Sequence, residues 1–152
     1  MSNIDILKKA QIFETLSDDE LKELSILAEL RDYPDGETIF EEGDKSEDIF
    51  ILIDGRVAIE IQMQVKSEKA AVHTVEPGQV FGEFALIDGE PRSASAETVK
   101  PSKLLVISIE KIKNLMDNNP KIGYKIMRNF NRILSARTKK TTKELRASLL
   151  WN

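Results

Sequence analysis

The stretch FGEFALIDGEPRSASAETV, residues 81–99, carries the most specific local pattern in this sequence. Gly82 permits a tight backbone turn, and the residues after it, 83–87, can form a single helical turn. The first amides of such a turn have no partner within the helix, and free amides at a helix start form an anion site. Gly89 and Pro91 then turn the chain back towards those amides.

Two side chains on the returning segment, and one on the turn itself, have the chemistry to bind a ligand. Arg92 offers a planar fork of donors that suits a phosphate, and Ser93 adds a hydroxyl donor. Glu83 would repel a phosphate, so we expect it to accept hydrogen bonds from a sugar hydroxyl. The segment therefore predicts a ligand with one anionic group beside a hydroxyl or diol.

The sequence around this segment, residues 31–108, predicts short antiparallel strands. Six of the seven glycines fall between Gly36 and Gly89 and separate runs rich in β-branched and aromatic residues. These runs are ETIFEEG (37–43), DIFILIDG (48–55), RVAIEIQMQV (56–65), AAVHTVEPG (70–78) and KLLVISI (103–109). The pattern is typical of a compact barrel or roll.

Residues 1 to about 30 have helical patterns. Ser17 and Glu20 form the sequence signature of a capping box at the start of a helix. Apolar residues then follow at helical spacing, namely Leu21, Leu24, Ile26, Leu27 and Leu30. We therefore expect helices before the strands.

Residues 109–152 also have a helical pattern. Asn119 followed by Pro120 is typical of a helix start. One face of the helix that begins there is apolar at both ends and polar in the middle. Its residues, at spacings of three and four, are Met127, Phe130, Leu134, Thr138, Thr141, Leu145 and Leu149. Either these hydroxyls meet a polar partner, or the helix leaves the core near Ala136 and frays.

Composition predicts one globular domain over residues 1–152, since 41% of the residues are hydrophobic and 32% are charged. No apolar run approaches the roughly 18 residues that span a bilayer. The chain has no cysteine, which is compatible with the cytoplasm.

The sequence does not indicate an enzyme or a metal site. His73 is the only histidine, so we expect no metal site, and the sequence lacks the nucleophile elbow G-x-S-x-G that would indicate a hydrolase. Residues 121–152 hold nine bases and one acid, which favours a solvated helix or a partner contact over nucleic acid.

The segment resembles the phosphate-binding cassette of the cyclic nucleotide-binding domain family. That pattern runs Phe-Gly-Glu, an apolar residue, Ala-Leu, an apolar residue, three variable residues, then Pro-Arg, a small residue and Ala, and residues 81–94 match it without a gap. IFETLS, DGETIFEEGD and DIFILIDGRV extend the resemblance along the chain. It implies an α+β fold: an antiparallel β-roll (jelly-roll-like) flanked by N-terminal helices and a long C-terminal helix.

The resemblance also implies which residues bind the ligand, cAMP or in second place cGMP. Arg92 and Ser93 would bind the cyclic phosphate with the cassette amides, and Glu83 would accept the ribose 2′-hydroxyl. The base would meet the roll and the last helix. The implied binding residues are Gly82, Glu83, Phe84, Ala85, Arg92, Ser93, Ala94, Val72, Arg137 and Thr138. We expect a substitution of Arg92 to change the stability of the ligand-free protein little.

The output of such a sensor is not predicted. Bacterial transcription regulators of this family continue from the long helix into a DNA-binding module, and we expect none here, since only LRASLLWN (145–152) follows the polar stretch of the helix. We expect a cyclic nucleotide, an unknown protein effector and a second copy paired through the C-terminal helix as partners, with neither DNA nor membrane. The alternatives are a nucleotide-independent interaction module of the same fold and a DNA-binding regulator.

Overall fold

The computed structural model describes residues 2–64 and 68–151. The end residues Met1 and Asn152 lie outside this range, as does Val65 at the end of one predicted run. The helices are α1 (Asn3–Lys9), a 3-10 helix (Gln11–Phe13), α2 (Asp18–Ile26), α3 (Ala85–Asp88), α4 (Ile109–Asn118) and α5 (Pro120–Leu150). The strands are β1 (Ala28–Tyr33), β2 (Thr38–Phe40), β3 (Asp48–Asp54), β4 (Val57–Gln62), β5 (Lys69–Val75), β6 (Val80–Phe81), β7 (Ser95–Thr98) and β8 (Ser102–Ser108).

The strands form two four-stranded antiparallel sheets, in the orders β1-β8-β3-β6 and β2-β7-β4-β5. Each predicted run overlaps one strand, namely β2, β3, β4, β5 or β8, whereas β1, β6 and β7 lie outside these runs. The chain therefore has the predicted α+β architecture, an antiparallel roll flanked by N-terminal helices and a long C-terminal helix. Within the described residues no helix combines the length and the hydropathy needed to cross a bilayer.

Strand β3 explains how the roll and the helices share one core. Ile49 and Ile51 pack with the N-terminal helices, α4 and the first half of α5, whereas Phe50 and Leu52 pack inside the roll. Because successive side chains of a strand point to opposite faces, a strand covered on both faces has a continuous apolar run. Ala85 belongs to the helical cluster, so α3 is held on the core.

The predicted capping box is present at α2, but the helix ends earlier than we expected. The Ser17 side chain accepts from the Glu20 amide, and the Glu20 carboxylate accepts from the Ser17 amide. The prediction of helix to about residue 30 is wrong at its end, because β1 begins at Ala28 and pairs along its length with β8. Leu30 is half exposed, so its helical spacing reflected no buried helix face.

Helix α5 begins where the Asn-Pro pair predicts, with the Asn119 side chain accepting from the Ile122 amide. Its first half is anchored to the N-terminal helices. The Asn129 side-chain amide donates to the Ile12 carbonyl (3.1 Å) and to the Thr15 hydroxyl (2.8 Å). Past Leu134 the residues are exposed, so the helix leaves the core near Ala136 as the second alternative predicts. The fraying in that alternative is wrong, because α5 stays helical to Leu150.

Candidate functional site

The cassette begins at Phe81, the last residue of β6, and its turn begins at Gly82. This glycine has a φ of 75°, and a Cβ built on it would lie 2.9 Å from Nη1 of Arg92. The left-handed backbone and the close arginine therefore both require glycine at this position. Helix α3 follows as a single turn whose backbone hydrogen bonds begin with the Leu86 amide, which donates to the Glu83 carbonyl (3.1 Å). The turn ends at Gly89, which has a φ of 66°.

Arg92 is the central side chain of the cassette and is only 7% exposed. Its Nη1 donates to the Gly82 carbonyl (2.9 Å), and its Nη2 donates to the Asp48 carbonyl (2.7 Å). The guanidinium also lies over the Phe40 ring, 4.2 Å from the ring centroid. Its Nε is buried and has no hydrogen-bond partner among the described residues. A buried donor without a partner costs free energy, so this nitrogen is suited to an acceptor supplied from outside the chain.

A cavity of about 200 Å³ adjoins this arginine. Two segments of the cassette, residues 82–85 and 91–94, line it together with Phe40 of β2 and Ile59 of β4. The structure therefore brings together seven of the ten residues implied as binding residues, namely Gly82, Glu83, Phe84, Ala85, Arg92, Ser93 and Ala94. Ser93 is exposed at this cavity, whereas Arg92 is buried.

Glu83 lies between this cavity and α5. Its side chain is 11% exposed, and its Oε1 lies 3.8 Å from Nη1 of Arg137. Burial raises the pKa of Glu83, and a hydrogen bond from its own backbone together with the positive charges of Arg137 and Arg92 offsets only part of this rise. The cassette carboxyl is thus in contact with the last helix.

The other two implied residues, Val72 and Thr138, do not line this cavity. Val72 is 56% exposed on β5 and is not among the residues that line the cavity. Thr138 is exposed on α5, one residue past the arginine that reaches Glu83. The Thr141 hydroxyl donates to the Arg137 carbonyl (3.0 Å), so this hydroxyl finds its partner within the helix itself.

Sequence reasoning missed the groups that hold Arg92. Phe40 lies in a predicted strand, but nothing local indicates that its ring faces an arginine 52 positions later. The Asp48 carbonyl and the Asp44 carbonyl, which accepts from the Arg92 amide (2.8 Å), are backbone groups without a side-chain signal. Only the packed fold reveals them.

These features define a class of protein: a domain in which a helix-flanked β-roll presents a cavity with a buried arginine and a carboxylate to a small ligand. Comparison with known proteins assigns the family. Residues 30–119 match the family described as "Cyclic nucleotide-binding domain". The chain belongs to this family.

Two relatives are similar in sequence to this chain over most of its length. It is 26% identical over 141 residues to the CRP-like cAMP-activated global transcriptional regulator of Mycobacterium tuberculosis, covering 93% of this chain and 61% of the relative. It is 30% identical over 123 residues to a cGMP-dependent protein kinase of Drosophila melanogaster (isozyme 2, forms cD5/T2), covering 80% of this chain and 13% of the kinase. The chain thus spans less than two thirds of either protein.

Solved structures agree with the fold. A cyclic nucleotide-binding domain from Methylobacillus flagellatus superposes with a TM-score of 0.78 at 26% identity, covering 93% of this chain and 79% of that one. The Thermus thermophilus catabolite activator protein superposes with a TM-score of 0.75 at 26% identity, covering 90% and 62%.

Proposed function

We propose that this chain is a cyclic-nucleotide sensor whose ligand is cAMP and whose readout is the position of α5. The observation that carries the proposal is the buried Arg92 Nε, which has no partner among the described residues and belongs to a side chain that lines the cavity. A ligand phosphate would supply the acceptor. The mycobacterial relative is named as cAMP-activated, which supports the choice of ligand.

The phosphate would bind between the arginine and the cassette turn. Two groups of the Arg92 guanidinium are held by the Gly82 and Asp48 carbonyls, so the side chain is oriented before any ligand arrives. The amides of Gly82, Glu83 and Ala85 and the Ser93 hydroxyl would complete the phosphate shell. A preorganised donor set adds affinity, because little ordering remains to be done on binding.

The ribose would bind to Glu83. This carboxylate borders the cavity and lies 3.8 Å from Arg137. A ribose 2′-hydroxyl would therefore either share the Glu83 carboxylate with Arg137 or displace Arg137 from it. Ligand occupancy would then change the contact that joins the cassette to the second half of α5. We propose that this exchange lets the ligand shift the population of helix positions.

The base would contact Arg137 or Thr138 of α5 together with Val72 and Ala94. Arg137 is the stronger candidate of the two helix residues, since it already reaches the cassette. Its guanidinium can stack on a purine or donate to the ring edge. Phe84 is 46% exposed beside the cavity and offers a further surface to the ligand.

The output would be delivered through α5. We propose a sensor without catalytic activity that acts in the cytoplasm on a protein effector, with neither DNA nor membrane as a partner.

The exposed end of α5 also favours pairing with a second copy, since Leu145, Leu149 and Trp151 are 59%, 67% and 90% exposed. Light scattering should give twice the chain mass, and a Leu145→Ser, Leu149→Ser double variant should give the single mass if this helix is the interface.

Calorimetric titration with cAMP, cGMP and a cyclic dinucleotide tests the sensor proposal. We expect one cAMP per chain, weaker cGMP binding and no binding of the dinucleotide. Absence of heat with all three ligands, in protein shown to be folded by circular dichroism, would support the nucleotide-independent interaction module instead. Tighter binding of cGMP would keep the sensor and overturn its specificity.

A further inference from the structure

Phe40 of β2 lies against the face of the Arg92 guanidinium, with 4.2 Å between the guanidinium carbon and the ring centroid. Two other rings of the roll hold this ring in place, since its centroid lies 5.8 Å from that of Phe50 and 6.2 Å from that of Phe81. Phe50 is farther from the arginine, at 5.7 Å. Phe40 also borders the cavity beside Arg92. It is therefore both a wall of the cavity and a support for the arginine.

Arg92 is a buried cation whose direct contacts are with neutral groups. Two of its nitrogens donate to backbone carbonyls, and the Phe40 ring covers its face. Within the described part of the chain no carboxylate forms a hydrogen bond or an ion pair with it, although four act on it through charge, namely Asp48, Asp44, Glu47 and Glu83. Burial lowers the pKa of Arg92, and these charges offset only part of the effect. The buried cation therefore needs a further source of stabilisation.

An aromatic face supplies this stabilisation without occupying a donor that a ligand needs. The negative face of the ring attracts the cation, and the planar guanidinium can lie on it while its nitrogens donate in the plane. A carboxylate in the same place would take up those donors and, as an anion, would repel a phosphate. The ring does neither, and the Arg92 Nε is left without a partner among the described residues.

We propose that Phe40 is a positioning residue of the nucleotide site: its ring takes the place of a counter-ion for Arg92 and holds the guanidinium ready for the phosphate. The proposal rests on the proposed function, because it concerns how the phosphate is bound. It predicts that an aromatic ring at position 40 matters for ligand affinity beyond its packing in the roll. Leucine, which is apolar but has no ring face, is therefore the informative replacement, and tyrosine is the conservative one.

Calorimetric titration with cAMP compares Phe40→Leu, Phe40→Tyr and Tyr33→Leu with the parent. Tyr33 is the matched control, because it packs against the same apolar cluster of the roll but does not border the cavity. We expect Phe40→Leu to weaken cAMP binding by about threefold to twentyfold, the range of a cation–π contact, and the other two variants to stay within about twofold. Equal weakening by Phe40→Leu and Tyr33→Leu would show a general loosening of the roll and overturn the proposal. Equal weakening by Phe40→Leu and Phe40→Tyr would do the same.

A double-mutant cycle distinguishes positioning of Arg92 from direct contact between the ring and the ligand. In an Arg92→Ala background, Phe40→Leu should change the cAMP affinity by less than about twofold, because the ring then has no guanidinium to position. A further loss as large as in the parent background would show that the ring acts on the ligand itself and would overturn the proposal. Circular dichroism checks that every variant is folded at the temperature of the titration.

The protein without ligand gives a readout that packing in the roll alone would not move. Nuclear magnetic relaxation of the Arg92 Nε–H group reports how firmly the guanidinium is held on the ps–ns timescale. Its order parameter should fall by at least about 0.1 in Phe40→Leu and stay at the parent value in Phe40→Tyr and Tyr33→Leu. An unchanged order parameter in Phe40→Leu would overturn the positioning role.

The two proposals fail in different ways. Absence of cyclic nucleotide binding by the parent protein would overturn the sensor proposal, and the positioning proposal with it. Equal cAMP affinities of the parent and Phe40→Leu would overturn the positioning proposal alone.

Discussion

Replacing Arg92 by alanine should lower both the stability of the protein without ligand and its affinity for cAMP. In the ligand-free chain this side chain joins the cassette to the start of β3, through its bonds to the Gly82 carbonyl (2.9 Å) and the Asp48 carbonyl (2.7 Å). It also covers the Phe40 ring. The structure therefore gives a reason to expect a loss of stability, where the sequence suggested little change.

The magnitude follows from the contacts that Arg92→Ala removes. A hydrogen bond from a charged donor is worth about 1.5–3 kcal/mol, and a cation–π contact about 0.5–2 kcal/mol, with the larger values at desolvated sites. The contacts share one side chain, and the adjoining cavity lets water reach the freed carbonyls, so these terms do not simply add. We expect the free energy of unfolding without ligand to fall by about 2–4 kcal/mol.

Urea unfolding followed by circular dichroism, without ligand, measures this loss. The matched control is Arg56→Ala, because Arg56 is 45% exposed and makes a single ion pair with Glu76 (3.3 Å). An exposed pair contributes little, so the control should change by less than about 1 kcal/mol. Equal unfolding midpoints for Arg92→Ala and the parent would refute the structural role assigned to this side chain.

The same variant tests the phosphate assignment. The parent should bind cAMP at least tenfold more tightly than Arg92→Ala, since the ligand would lose a charged donor worth about 1.5–3 kcal/mol, and 1.4 kcal/mol corresponds to a tenfold change. The two affinities are compared without urea, at a temperature where both proteins are folded. Binding within twofold of the parent would refute the cassette assignment whatever the stability result.

Three further substitutions or measurements probe the rest of the site. Glu83→Gln should weaken cAMP binding less than Arg92→Ala does. The parent should bind 2′-deoxy-cAMP poorly, and equal binding of cAMP and 2′-deoxy-cAMP by the parent would show that Glu83 does not bind the ribose. Asn129→Ala should lower the free energy of unfolding by about 1–3 kcal/mol, because it removes one buried and one part-buried hydrogen bond to the N-terminal segment. Hydrogen exchange over residues 132–148 should slow when cAMP binds, and Arg137→Ala should diminish that effect more than Thr138→Ala. Unchanged exchange at saturation would contradict the proposal that cAMP shifts the position of α5.

Local chemistry explains the elements that the sequence predicts well. The capping box at Ser17 and the Asn119 cap depend on residues three positions apart, and the glycine turn at Gly82 depends on one backbone conformation. Such signals can be identified without knowing the fold, because the interacting groups are neighbours in the chain. The cassette pattern is of the same kind, since its side chains follow one another within residues 81–94.

Long-range packing decided what the sequence could not indicate. The end of α2 depended on the pairing of β1 with β8, whose paired residues are 69 to 79 positions apart, and strand pairing overrides weak helical spacing. The partners of Arg92 and the contact between Glu83 and Arg137 depend on which elements lie side by side. Side-chain type limits what a residue can bind, but only the tertiary structure determines which groups are close enough to be bound.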